Sequence, residues 1–296
     1  MEEQNKIPLI VDIPESEKKI FDKKIKEYRS RSIRSSQAIV NRICEENEDY
    51  IAKVSVNKDV STVIYQLREK VWNEFLLDEI EFNALLMKDL HKILNTPKEI
   101  MEVLIASRIV EKKGEDLVNS IKDLCGEYAG RVFPYFYRLS LSNTQSRRSR
   151  AGKTFESIIY KIYEVLDYRY DSQSKIGRKI FDQAGLGKKV DSILPGIEEF
   201  NKRRNKTIVG TMKTTLRERW QEVAEEIERT KIPEIHLLTA DEDISLSKSR
   251  EMANHNIVIV TYKWISESEK LKKEKNIISF EEYLFEEIPS ILDFWK

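Results

Sequence analysis

The sequence is short of the residues that mark several classes of protein. Only two cysteines, Cys44 and Cys125, occur among 296 residues, which argues against a disulfide framework or a zinc site built from cysteine alone. No apolar run approaches the roughly 18 residues of a membrane-spanning helix. The opening residues lack the basic and apolar regions of a signal peptide. We therefore expect reduced thiols and a cytosolic setting.

Net charge is absent as well, because 51 lysines and arginines balance 51 aspartates and glutamates. The total charge therefore does not indicate a nucleic-acid partner, but basic residues cluster twice along the chain. The two clusters are Arg147, Arg148, Arg150 and Lys153, and Lys202, Arg203, Arg204 and Lys206. Such patches on a neutral protein can neutralise phosphates, although two solvated surface turns would give the same pattern.

Helical periodicity runs through residues 1–130, which we interpret as an N-terminal all-helical module. Helices are predicted over about 16–47, 60–77, 80–94, a segment with Pro97 in its first turn, and 117–128. No strand-rich block, repeat or catalytic cluster interrupts them. The predicted role of this module is dimerisation or support of DNA binding.

Strand and helix patterns alternate in residues 131–296, which predicts an α/β domain with a mixed central sheet flanked by helices. The polar stretch 140–146 is predicted to be a loop, and a helix is predicted to open at Arg147. Strands are predicted at 190–194, 207–213, 235–238 and 257–262. The amphipathic segment 280–294 is predicted to pack on the sheet.

Three side chains in this second half suit a metal-dependent phosphodiester nuclease. Asp191 and Lys213 follow one another on two short apolar runs, and Glu156 lies on the preceding helix. Carboxylates bind Mg²⁺ through oxygen, and a lysine can stabilise an anionic transition state or orient a water molecule. By themselves an aspartate and a lysine in this order are a weak signal, since most chains contain such a pair.

A further acid is expected on the helix after Lys213. On a helical wheel Glu222 and Glu226 lie on one flank of the buried stripe, whereas Glu225 faces solvent. We choose Glu222, so the predicted metal ligands are Asp191, Glu222 and Glu156. Which of the three glutamates acts stays open.

The triplet Arg217-Glu218-Arg219 opens that helix and suits DNA recognition. Arginine side chains bond guanine O6 and N7 in the major groove, and glutamate accepts from cytosine N4. Glu218 also completes a capping box with Thr215, which explains that residue without DNA. Two arginines at a helix N-terminus are electrostatically unfavourable, so they favour a functional explanation.

Three segments together resemble a known family. Residues 146–156, 190–195 and 213–220, in this order, are similar to the catalytic domain of type II restriction endonucleases of the EcoRII, PspGI and NgoMIV group. This resemblance covers about 133–295. The N-terminal module is compared with that of CCGG cutters such as BsaWI.

The resemblance implies a PD-(D/E)XK (restriction endonuclease-like) core and a magnesium cofactor. Glu156, Asp191, Lys213 and Glu222 would be catalytic, and Arg217, Glu218 and Arg219 would read the CC and GG halves of the site. Arg147, Arg148, Arg150 and Lys153 would contact DNA near the cleavage centre. Two positions depart from the usual motif, with Val190 in place of proline and Thr211 in place of an acid.

The function that follows is Mg²⁺-dependent, site-specific cleavage of both DNA strands by a homodimer of a prokaryotic, cytoplasmic restriction–modification system. The resemblance leaves CCGG, CCNGG and CCWGG open as recognition sites. One alternative is a non-catalytic, sequence-specific DNA-binding protein on a nuclease-like core. Another is a helical interaction protein without a DNA role, which the two basic clusters disfavour.

Overall fold

The computed structural model describes residues 9–109, 112–186, 189–216, 219–230 and 232–296. In the described part of the chain, seven helices precede the first strand. They are α1 Glu15–Ser32, α2 Ser36–Glu46, α3 Asp49–Ser55, α4 Val60–Ile93, α5 Asn95–Arg108, α6 Gly114–Arg131 and α7 Phe133–Val165. In the described part of the chain, no helix is both long enough and apolar enough to cross a membrane.

Among the described residues, six strands follow and form one sheet in sequence order. They are β1 Asp171–Ser172, β2 Ser192–Leu194, β3 Ile208–Lys213, β4 Ile235–Thr239, β5 Ile257–Thr261 and β6 Ile277–Ser279. The first three strands are antiparallel neighbours, and β3 to β6 are parallel neighbours. The predicted mixed sheet flanked by helices is therefore confirmed.

Shorter helices connect and cover these strands. They are α8 Gln173–Ile176, α9 Arg178–Gln183, α10 Ile197–Lys202, the 3₁₀ turn Arg204–Lys206, α11 Arg219–Thr230, α12 Leu246–Asn254, α13 Lys263–Ser266, α14 Phe280–Glu282, the π turn Tyr283–Glu287 and α15 Ile288–Phe294. The amphipathic stripe predicted for α11 is buried at Trp220 and Val223. The predicted packing of 280–294 on the sheet is confirmed, because the Tyr283 ring lies 5.4 Å from that of His236 on β4.

Two helix predictions in the first half of the chain are wrong. The single helix expected over 16–47 is two helices, and the Ser35 side chain caps α2 by accepting from the Ala38 N–H at 3.1 Å. The two helices expected over 60–77 and 80–94 are one helix, α4. Its interior acids Asp78 and Glu79 are buried, and they pair with Arg34 and Arg147. Asp78 and Glu79, which lie at the predicted gap between two helices, are therefore part of one continuous helix.

The loop predicted at 140–146 is also wrong, and so is the helix start at Arg147. Both positions lie inside α7, which runs without interruption from Phe133. The polar side chains have partners on neighbouring helices: Ser142 and Asn143 accept from Arg29 at 3.0 and 2.8 Å. Because these partners are more than 100 residues away in sequence, local polarity gave no sign of a helix.

The chain divides into two compact units by its internal contacts. One comprises Met1–Arg34 and Asn73–Ser149, and the other comprises Ser35–Trp72 and Arg150–Lys296. Within the second unit, the Ser61 N–H and hydroxyl donate to the two oxygens of Glu281 at 2.6 and 2.8 Å. The division at residue 130 into a helical module and a nuclease domain stays a prediction.

Candidate active site

Asp191 lies immediately before β2 and is held by the neighbouring strand. Its N–H donates to the Gly210 carbonyl at 2.9 Å. Its Oδ2 accepts from the Met212 N–H at 2.6 Å and from the Thr211 hydroxyl at 3.3 Å. Backbone and side chain of Asp191 are thus both fixed by β3, through one backbone bond and two bonds to the carboxylate.

Lys213 ends β3 and faces the same carboxylate. Its Nζ lies 3.6 Å from Asp191 Oδ2, and it donates to Thr211 Oγ1 at 3.1 Å and to the Met212 carbonyl at 3.2 Å. The Thr211 hydroxyl therefore links Asp191 and Lys213. At the position where the usual motif has an acid, this chain has a neutral group that bonds both partners.

Glu156 reaches this group from α7. Burial, followed by repulsion from Asp191, raises the pKa of Glu156 to about 7, against the opposing effects of Lys213 and Lys153. Burial likewise raises the pKa of Asp191, although Lys213 and the hydrogen bonds from β3 oppose that rise. The structure thus brings together the predicted Glu156, Asp191 and Lys213.

Two carboxylates in this arrangement fit a magnesium ion. Mg²⁺ in proteins keeps several waters and binds through one or two carboxylates plus substrate phosphate oxygens. Repulsion between Glu156 and Asp191 is the electrostatic situation that a bound cation relieves. Among the residues the structure describes, no three Asp, Glu, His or Cys side chains form a group that could hold a metal ion, so Glu222 is not brought together with Glu156 and Asp191.

The three candidate glutamates on α11, Glu222, Glu225 and Glu226, occupy different environments. Glu222 is about half exposed and forms an ion pair with Lys189, two residues before Asp191. Glu225 is exposed, as the helical wheel predicts. Glu226 is buried, with its Oε1 2.5 Å from Arg229 Nη2. The pair with Lys189 places Glu222 beside the segment that leads into Asp191.

The predicted DNA-contacting residues divide into three groups. Arg147 pairs with the buried Glu79 while half of its side chain stays exposed, Arg148 and Lys153 are exposed, and Arg150 is half-buried. Arg217 and Glu218 lie outside the described residues, and Glu218 is one of the two residues of the predicted capping box. Arg219 begins α11, but its side chain is not among those described.

Two side chains next to Asp191, those of Tyr160 and Gln173, were not predicted from the sequence to belong to the site. The Tyr160 hydroxyl donates to the Asp191 carbonyl at 2.9 Å, and Gln173 Nε2 donates to the Val190 carbonyl at 2.9 Å. Only one signal was available: Tyr160 lies one helical turn after Glu156 and therefore on the same face of α7.

Similarity to known proteins covers most of the chain, and residues 121–284 match the family described as EcoRII C terminal. The type II restriction enzyme SsoII of Shigella sonnei is 33% identical over 264 residues, which cover 88% of this chain and 78% of that enzyme. These two findings agree with the segments that resembled a restriction endonuclease.

Solved structures of restriction endonucleases share the fold. Metal-depleted Ecl18kI in complex with uncleaved, modified DNA superposes with a TM-score of 0.71 at 28% identity, covering 93% of this chain and 85% of that chain. The complex of restriction endonuclease PspGI with substrate DNA gives a TM-score of 0.57 at 19% identity, covering 88% and 94%. The second likeness concerns the fold alone.

Proposed function

This chain belongs to the EcoRII C-terminal family and is a type II site-specific deoxyribonuclease, and from this we propose that it makes Mg²⁺-dependent double-strand cuts at a palindromic site with a CC/GG core. The observation that carries the proposal is the carboxylate of Asp191, fixed by the Met212 N–H next to Lys213 and Glu156. The DNA-bound state of the Ecl18kI structure supports double-stranded DNA as the partner.

In this proposal Asp191 and Glu156 hold the metal, and Glu222 supplies the further acid. A bound Mg²⁺ lowers the pKa of a coordinated water and offsets charge on the leaving oxygen. Lys213 stabilises the negative charge that develops on the scissile phosphate, because its ammonium lies at the edge of the carboxylate site. Thr211 keeps that ammonium and Asp191 in a fixed relation.

Sequence readout is assigned to Arg217, Glu218 and Arg219, since arginine pairs with guanine and glutamate with cytosine in the major groove. Arg147, Arg148, Arg150 and Lys153 are assigned to the DNA backbone near the cut. A homodimer is part of the proposal, because a two-fold protein matches a palindrome and brings one active centre to each strand. Such an enzyme would cleave DNA as part of a restriction–modification system in the cytoplasm of a prokaryotic cell.

The first test is a digest of a sequenced plasmid with and without Mg²⁺. Wild-type protein should give discrete fragments whose ends share a CC/GG core, and EDTA should abolish them. Lys213→Ala should cleave at least 10²-fold more slowly while binding the same DNA without metal, since one preorganised charge typically contributes that much.

Lys272→Ala is the matched control, because the Lys272 side chain is exposed and its ammonium pairs with Glu269 three residues earlier. It should cleave like the wild type. Cleavage by Lys213→Ala at the control's rate would remove Lys213 from the active site. Fragment ends without a shared CC/GG core would contradict the proposed specificity.

The further acid is tested by three neutral replacements compared in one assay. Glu222→Gln should reduce the cleavage rate by about tenfold or more, a typical loss when a group in the metal environment is removed. Glu225→Gln is the control at an exposed position and should leave the cleavage rate unchanged. A rate loss confined to Glu226→Gln would transfer the role to that buried glutamate.

A further inference from the structure

The backbone on both sides of the predicted catalytic aspartate is held by side chains from earlier in the chain. The carbonyl of Val190 accepts from Gln173 Nε2, and the carbonyl of Asp191 accepts from the Tyr160 hydroxyl, each at 2.9 Å. The Asp191 N–H donates to Gly210 at the same distance. Asp191 lies outside the regular pairing of β2, so these bonds replace the ladder that would otherwise fix it.

Tyr160 is connected to Glu156 by the geometry of α7. The two residues are four apart, which places their side chains on one face about 6 Å apart along the helix axis. The turn of helix that carries Glu156 therefore also carries the hydroxyl that holds Asp191. Because the helix is rigid, the bond from the Tyr160 hydroxyl to the Asp191 carbonyl fixes how far the Asp191 carboxylate lies from the Glu156 carboxylate.

The Tyr160 ring is itself locked in place. It is buried, with 8% of its surface exposed, and it stacks on the Tyr170 ring with centroids 5.2 Å apart and planes 14° apart. The ammonium of Lys175 lies over the Tyr170 ring, 3.3 Å from its centroid. Because a stacked, buried ring has few alternative rotamers, the direction of the hydroxyl is set.

We propose that Tyr160 is a positioning residue that sets the distance between the Glu156 and Asp191 carboxylates through its bond to the Asp191 carbonyl. The inference rests on the proposed function, in which these carboxylates hold Mg²⁺. Mg²⁺ demands near-ideal octahedral geometry, and a displacement of about 1 Å at a reacting centre can cost on the order of 10²-fold in rate.

The test compares Tyr160→Phe with Tyr170→Phe. Each substitution removes one hydroxyl and keeps the ring and the stack. The Tyr170 hydroxyl bonds Glu164 at 3.3 Å rather than the aspartate, so Tyr170→Phe is the matched control. Four quantities are measured: the single-turnover cleavage rate, the DNA Kd without metal, the Mg²⁺ concentration that gives half the maximal rate, and the rise in Tm on adding Mg²⁺.

Tyr160→Phe should lower the rate about 10–100-fold, raise the half-maximal Mg²⁺ concentration several-fold and reduce the Mg²⁺-induced rise in Tm, as expected for a group that orients metal ligands. The DNA Kd should change less than about twofold, since no proposed DNA-contacting side chain is altered. Tyr170→Phe should match the wild type. Tyr160→4-aminophenylalanine restores a donor at the same ring position and should recover most of the rate.

Three results would overturn the proposal. They are a Tyr160→Phe variant with wild-type rate and Mg²⁺ dependence, a rate loss that 4-aminophenylalanine does not restore, and a rate loss explained by a collapsed Tm. The last would make Tyr160 a structural residue. Failure of the proposed function is distinguishable, because the wild type itself would then not cleave DNA in Mg²⁺.

Discussion

Thr211 is the residue in the site that departs most from the expected chemistry. Its hydroxyl donates to Asp191 and accepts from Lys213 at the same time, and the side chain is fully buried. A carboxylate at this position would add a negative charge next to Asp191. The threonine instead orients the aspartate and the lysine without raising the charge that a metal must offset.

We predict that Thr211→Val reduces the cleavage rate about 10–100-fold, because the isosteric side chain keeps the packing and removes both hydrogen bonds. DNA binding without metal should change less than about twofold. Single-turnover cleavage and a binding titration measure the two effects. Thr211→Ser keeps the hydroxyl and should cleave nearly like the wild type, and equal losses in the serine and valine variants would contradict this role.

Residues that act within a local pattern could be predicted from the sequence. Asp191 and Lys213 each adjoin a short apolar run, and neighbouring strands brought them to 3.6 Å. Partners far away in sequence could not be predicted. The ion pairs of Arg147 with Glu79 and of Glu222 with Lys189 depend on packing between distant segments, which no local pattern encodes.

At the scale of elements, the pairing of β2 with β3 leaves little space for a side chain at Gly210. Gly210 lies opposite Ser192, and a Cβ on Gly210 would lie 2.5 Å from Ser192 Oγ. The other neighbours of that Cβ, Leu238 Cδ1 and Ser192 Cβ, would lie at 3.7 and 3.8 Å, which is ordinary contact. The obstacle is therefore one hydroxyl oxygen.

We predict that Gly210→Ala destabilises the protein by roughly 1–3 kcal/mol, the usual cost of overpacking a buried site. Ser192→Ala removes the obstructing oxygen, so the double variant should recover most of the lost stability. Tm values of the wild type, both single variants and the double variant form a cycle that isolates this coupling. Additive losses in the double variant would show that the hydroxyl is not the cause.

Strands and helices differed in how well their limits could be predicted. The β-branched run before Lys213 and the runs at β4 and β5 are buried at nearly every position, and such runs identify strands directly. The extents of α4 and α7 escaped prediction, because their polar stretches are satisfied by Arg34, Arg147 and Arg29.

At the scale of the whole molecule, the sheet and the enzyme class were predictable from three ordered segments, whereas the composition of the compact units was not. Residues 35–72 group with the sheet, and one reason is the contact of Ser61 with Glu281, 220 residues further along the chain. A scan for helical periodicity cannot detect such a contact. The enzyme class was therefore easier to predict than the packing of the N-terminal helices.

Stability of the whole molecule should depend on pH through its active site. The pKa of Glu156 is about 7 in the folded protein against an ordinary value of 4.5, so the folded state binds this proton more tightly than the unfolded chain. Ionisation of Glu156 therefore lowers the free energy of unfolding. The loss is negligible below about pH 4.5 and grows until the pH passes about 7. Its upper limit is about 3 kcal/mol.

We predict that Glu156→Gln melts at nearly the wild-type temperature at pH 5 in EDTA and several degrees higher at pH 8, because the neutral amide avoids the buried charge. Adding Mg²⁺ at pH 8 should raise the Tm of the wild type more than that of Glu156→Gln, since the cation offsets the same charge. Glu251→Gln, at an exposed position on α12, controls for loss of a surface carboxylate and should follow the wild type at both pH values. Wild-type melting that gains nothing from Mg²⁺ at pH 8, together with a Glu156→Gln variant that gains nothing from high pH, would mean that Glu156 is not a buried, metal-facing carboxylate.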